Sequence, residues 1–94
     1  MNIQVRILAQ YIDENGKPKG GQEFIARMDS DTLMYAEEKN LSIVFQRLID
    51  TEMARYAGKY TYVEHEPIFH EPIALENAEA EYDKLIEELY PREA

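Results

Sequence analysis

The sequence predicts one small α+β domain of order ββαβα: a β-hairpin, a central helix, a third antiparallel strand and a C-terminal amphipathic helix. Three observations predict it. Apolar and polar residues alternate with period two over residues 2–12 and again over 22–28. Apolar residues then recur at steps of three and four through the middle of the chain, and once more from residue 75 onward. Turn or capping residues stand where the period changes. The 94 residues suffice for a single core.

In the first strand Ile3, Val5, Ile7, Ala9 and Tyr11 share one face, and Gln4, Arg6 and Gln10 share the other. Asp13–Gly21 reads as the hairpin turn, because it holds Asn15-Gly16 and a flexible Gly20-Gly21 pair. Phe24, Ala26 and Met28 mark the inward face of the second strand. Asp29-Ser30-Asp31-Thr32 is a cluster of N-cap residues and predicts a helix start. From Leu33 to Tyr56 the apolar spacing gives helix over about 32–57. A break is expected near Asn40, with Ser42 capping the second piece, and Arg55 and Gly58 supply stop chemistry. Lys59–Glu64, rich in tyrosine and β-branched residues, predicts the third strand. Pro67 and Pro72 make residues 65–73 an extended connector. From about Ala74 the series Leu75, Ala78, Tyr82, Leu85, Leu89 steps 3-4-3-4, widened by Ile86 and closed by Pro91.

Charge is distributed unevenly. Residues 64–94 carry ten carboxylates against Lys84 and Arg92, which accounts for −8 of the chain's net −9. Residues 1–63 are nearly balanced. The asymmetry predicts one acidic face on a small domain, centred on Glu76, Glu79, Asp83 and Glu87. It argues against a duplex nucleic acid partner, whose binding rests on Lys and Arg neutralising phosphates. No apolar run reaches the roughly 20 residues of a membrane span, and no basic-then-apolar leader opens the chain, so a cytoplasmic protein is expected. Without cysteine there is no thiolate nucleophile and no Cys-based zinc site.

Candidate chemistry is sparse. His65-Glu66-Pro67-Ile68-Phe69 and His70-Glu71-Pro72-Ile73-Ala74 form a short repeat, and His65, His70, Glu66 and Glu71 are the only plausible metal set. The His-Glu-x-x-His signature needs four-residue spacing on a helix, whereas here the histidines are five apart with a proline between. No cofactor is implied. Ser30 and Ser42, the only serines, are explained by helix capping. The carboxylates are abundant, but nothing in their spacing marks a catalytic pair. Tyr56, Tyr60 and Tyr62 cluster where the central helix meets the third strand; with Arg and Lys nearby they suit base stacking, but tyrosine equally suits a core or a protein interface.

Two non-enzymatic readings follow. In one, the domain is an interaction module that self-associates as an assembly or accessory subunit, using Leu75, Ala78, Tyr82, Leu85, Ile86 and Leu89 together with Tyr60 and Tyr62. In the other, it is a small acidic inhibitor of the antidefence type, offering a nucleic-acid-like negative face to a basic protein. A metal- or ligand-binding domain built on His65 and His70 is the third reading.

Overall fold

A computed structural model of the chain describes residues 2–54, 59–67, 73–75 and 77–91. Its elements are β1 (Asn2–Ile12), β2 (Pro18–Asp29), α1 (Ser30–Tyr35), α2 (Glu38–Met53), β3 (Lys59–Pro67), β4 (Ile73–Ala74) and α3 (Ala78–Leu89). β1 pairs antiparallel with β2 on one side and β3 on the other, giving the predicted three-stranded antiparallel sheet. The two-residue β4 adds a parallel edge beside Phe24 and Ile25, so the order is β3-β1-β2-β4. The connector expected over 65–73 is thus partly strand: 65–67 extend β3, 73–74 form β4, and 68–72 lie outside the described residues.

The sheet has one apolar face, and α2 and α3 cover it. Val5, Ile7, Ala9, Phe24, Ala26 and Met28 point into this layer and meet Leu41, Val44, Phe45, Leu48 and Ile49 of α2. Ala78 and Leu85 of α3 complete the core. On the other face, the Arg6 guanidinium spans the sheet, bonding Glu23 of β2 at 2.8 Å and Glu66 of β3. An antiparallel sheet with one face packed and one charged is a stable arrangement in water.

The hairpin turn is tighter than the spacing of glycines suggested. Asp13 closes it: its backbone N–H donates to the Lys17 carbonyl, and its carboxylate accepts from the N–H groups of Asn15 and Lys17, each at 2.9 Å. Gly16 sits in this turn at φ +79°, while Gly20 and Gly21 belong to β2. Gly21 serves close approach rather than flexibility, since a Cβ there would lie 2.9 Å from the Ala9 carbonyl oxygen.

The central helix is broken near Asn40, as expected, with the break at Ala36 and Glu37. Asp29 caps α1 by accepting from the N–H groups of Asp31 (3.0 Å) and Thr32 (3.4 Å). Ala36 and Glu37 are extended, and the Glu37 carbonyl already accepts from Asn40 and Leu41, so Asn40 lies inside the first turn of α2. Ser42 is no cap: its hydroxyl donates back to the Lys39 carbonyl. Arg55 and Gly58, expected to end the helix, fall outside the described residues. α3 starts at Ala78 rather than near Ala74, with Asn77 as its cap accepting from the Glu79 N–H at 2.9 Å.

Two features of β3 shape everything beside it. Ala9 pairs with Tyr62 but Leu8 pairs with Glu64, so a bulge at Val63 shifts the pleat by one residue. His65, an odd number of residues after Tyr62, thereby reaches the same inward face. β3 is also an edge strand, and its free edge is partly filled by a side chain. The Gln46 amide donates to the Tyr60 carbonyl and accepts from the Tyr62 N–H, both at 2.8 Å, in the manner of a neighbouring strand.

Two stability measurements test this packing. Leu85→Ala should lower the unfolding free energy by ~2–5 kcal/mol in urea titrations, whereas Leu89→Ala, at a site 48% exposed, should change it by less than about 0.5 kcal/mol. Gln46→Leu leaves two edge groups of β3 without a partner and should cost ~1–3 kcal/mol. It should also raise the scattering mass with concentration as β3 edges pair; a monodisperse variant of parental stability would show that Gln46 does not guard the edge.

Candidate functional site

The predicted contact helix is α3, and its seam is turned inward. Ala78 is fully buried and Leu85 is 2% exposed, with Leu75 and Tyr82 packed against the same core. α3 lies on α2 and β2. Of the residues expected to face a partner, Ile86 is half-buried and Leu89 is exposed, so the rest of the stripe is already covered within the chain. The Arg47–Glu88 ion pair, at 2.9 Å, ties α3 to α2.

The opposite side of α3 carries Glu79, Asp83 and Glu87, successive i,i+4 positions rising about 6 Å apart along the axis. Asp83 and Glu87 are exposed and Glu79 is half-buried. Among the described residues none of the three forms an ion pair, whereas Glu81 is held by Lys84 at 3.4 Å and Glu88 by Arg47. Glu76, the fourth predicted member, lies outside the described residues. Like charges at i,i+4 cost a helix roughly 0.2–0.5 kcal/mol per pair. Glu79 lies in the first turn, where the helix dipole favours a carboxylate, whereas the acidic residues of the last turn, where α3 has no basic one, oppose it. The ridge is therefore a strained display on a firmly packed helix.

A second cluster forms at the far end of β3. The Tyr62 hydroxyl lies 2.6 Å from Nδ1 of His65 and 3.2 Å from Oε1 of Glu38 on α2. A carboxylate only accepts, so the network assigns the phenol proton to Glu38 and an Nδ1–H to His65, leaving Nε2 as the ring's acceptor. Phe45 backs both rings, with centroids 5.0 Å from His65 and 5.8 Å from Tyr62. Burial holds the His65 pKa below its ordinary 6.5, although the Glu38 and Glu64 charges pull the other way. Burial, then the charge and hydrogen bond of Glu38, then the charge of Glu64, push the Tyr62 phenol above its ordinary value of 10.

The structure separates the rest of the predicted site. His65 faces the core side of β3 while Glu66 faces the other side and is bound by Arg6; His70 and Glu71 lie outside the described residues. No group of three metal-ligating side chains occurs among the described residues. Tyr60 donates to Gln22 Oε1 at 3.0 Å and packs on Phe24 and Tyr11, so Tyr60 and Tyr62 belong to the margin of the core rather than to a stacking platform. Tyr56 lies outside the described residues, and no helix among them is long and apolar enough to cross a membrane. Gln46 and the His65–Tyr62–Glu38 contacts have no local sequence signal, because they depend on the Val63 bulge and on where α2 crosses the sheet edge. Comparison of the chain with protein-family models, with curated proteins and with solved structures gives no significant match.

His65 predicts a pH dependence. With its folded pKa lowered, the unfolded chain binds the proton more readily, so this contribution is fully present above about pH 6.5 and is lost as pH falls through the folded value. Urea midpoints of the parent should therefore drop more between pH 8 and pH 5 than those of His65→Phe, which retains the ring contact with Phe45 but cannot titrate. Equal drops in the two proteins would show that His65 is not coupled to folding.

Proposed function

We propose that the protein is a non-catalytic interaction module that presents the acidic ridge of α3 to a basic protein surface. One observation carries this reading: the apolar stripe of α3 is buried against the chain's own core, which fixes the helix with Asp83 and Glu87 exposed and Glu79 half-buried, none of them in an ion pair among the described residues. Self-association through that stripe has lost most of its surface, since Ala78 and Leu85 are inaccessible and Leu75 and Tyr82 are half-buried. A net charge of −9 adds repulsion between copies. The same charge, concentrated after residue 63, steers a basic partner toward α3. In that role the domain acts as a decoy for a groove that ordinarily holds a polyanion, the acidic-inhibitor reading, or as an accessory subunit docked through charge.

Salt and substitution test it together. Between about 0.1 M and about 1 M salt the screening length falls from about 10 Å to about 3 Å, so capture of a basic partner from source-cell extract should fall steeply. The variant combining Glu79→Gln, Asp83→Asn and Glu87→Gln should lose that partner at low salt while melting at or above the parental temperature. Undiminished capture by the triple variant would remove the α3 reading.

A further inference from the structure

A hollow of about 320 Å³ opens between α1 and the adjoining ends of β1 and β3. Ile3, Leu33, Met34 and Pro67 are its apolar lining, and Ser30, His65 and Glu66 its polar lining. α1 buries none of its residues, and Met34 and Tyr35, at its end, are 70% and 77% exposed. Methionine and tyrosine are the residue types that protein interfaces favour: the thioether repacks around what it meets, and the phenol combines ring area with a hydrogen bond. The size, at the lower end of the range for ligand clefts, is enough for one large side chain.

Charge decides what kind of side chain. Segments 29–40 and 64–67 hold six carboxylates against one cation, Lys39, which lies 4.0 Å from Glu37, while the N-terminal ammonium offsets Asp29. Glu66 in the wall is already matched by Arg6, but Glu38 stands 3.9 Å from His65, and Asp31 is exposed on α1. A second copy seated here would bring these carboxylates against their own images, whereas a cationic segment would meet them favourably. His65 adds a polar feature: with Nδ1–H committed to Tyr62, the ring offers Nε2 as an acceptor. We infer that this hollow is an anchor site for a basic protein segment, taking one aromatic side chain with a donor group, such as tryptophan, flanked by lysine or arginine. The hollow is separate from the α3 ridge and does not rest on that reading.

Three blocked peptides test it: Lys-Trp-Lys, Glu-Trp-Glu and Lys-Ala-Lys, titrated at low salt while the methyl signals of Ile3, Leu33 and Met34 and the His65 ring are followed by NMR. Lys-Trp-Lys should give saturable shifts at these residues, at least several-fold tighter than Glu-Trp-Glu, and Lys-Ala-Lys should leave them in place. Met34→Lys, at an exposed position that folding does not need, should abolish the response. The α3 triple variant should keep it, so that failure of the ridge and failure of the hollow are told apart. Equal responses to Lys-Trp-Lys and Lys-Ala-Lys would overturn the anchor, and equal responses to the two tryptophan peptides would overturn the charge selection. Shifts that grow with protein concentration alone would assign the hollow to a second copy, and loss of the response in the triple variant would assign the peptide to α3; either overturns the inference.

Discussion

The apolar face of the β3-β1-β2 sheet has to be covered, and the way α2 and α3 share that task governs the rest of the molecule. An isolated hairpin is at best marginal in water, and packing its apolar face against helices is one way a small sheet gains stability. α2 brings Leu41, Val44, Phe45, Leu48 and Ile49, and α3 adds Ala78 and Leu85 where α2 does not reach. Since both helices commit their apolar sides to the same layer, their polar sides face outward by geometry rather than by separate design. The orientation of every surface group on α3 is thus a consequence of burying Leu85.

The edge of the sheet poses the opposite problem. β3 is nine residues long and, among the described residues, unpaired by any strand on its outer side, which in a protein of this kind invites pairing between copies. Three devices blunt it. Gln46 answers the Tyr60 carbonyl and the Tyr62 N–H, the Val63 bulge breaks the regular spacing beyond them, and Pro67 ends the strand without an N–H to offer. The bulge has a second effect, because it places His65 on Phe45 and beside Tyr62. One extra residue thus contributes to edge protection and also assembles the titratable cluster at the core margin.

Elements whose period is local were legible in the sequence. Alternation in 2–12 and the 3-4 steps from Leu75 to Leu89 each depend on one buried face, and the structure bears out the ββαβα order they imply. What escaped were features set by contacts between elements. Gly20-Gly21 looks like a turn until Ala9 is known to lie across from it. The break near Asn40 was expected, but not its place at Ala36 and Glu37, which turn extended although neither is a breaker by composition. The two residues of β4 are too few to show a period, so only their pairing with Phe24 and Ile25 makes them a strand. For the candidate surfaces, the acidic side of α3 followed from spacing once the stripe was placed. The hollow beside α1 did not, because Ile3, Leu33 and Pro67 come from three separate parts of the chain.

The acidic ridge is best understood through what its helix sacrifices. Glu79, Asp83 and Glu87 repel one another along one line, and although the dipole favours Glu79 in the first turn, it opposes Glu87 in the last, where no basic residue offsets it. A helix this short, 12 residues, would be marginal on its own even without these charges. It persists because Ala78, Tyr82 and Leu85 are packed on the core and Glu88 is clamped by Arg47. Solubility alone does not require such an arrangement: interspersed charges of both signs serve that end without repulsion inside one helix. Uncompensated charge aligned on a rigidly held element is what long-range steering of a cationic partner needs, and the burial of Leu85 is what lets a short helix sustain it.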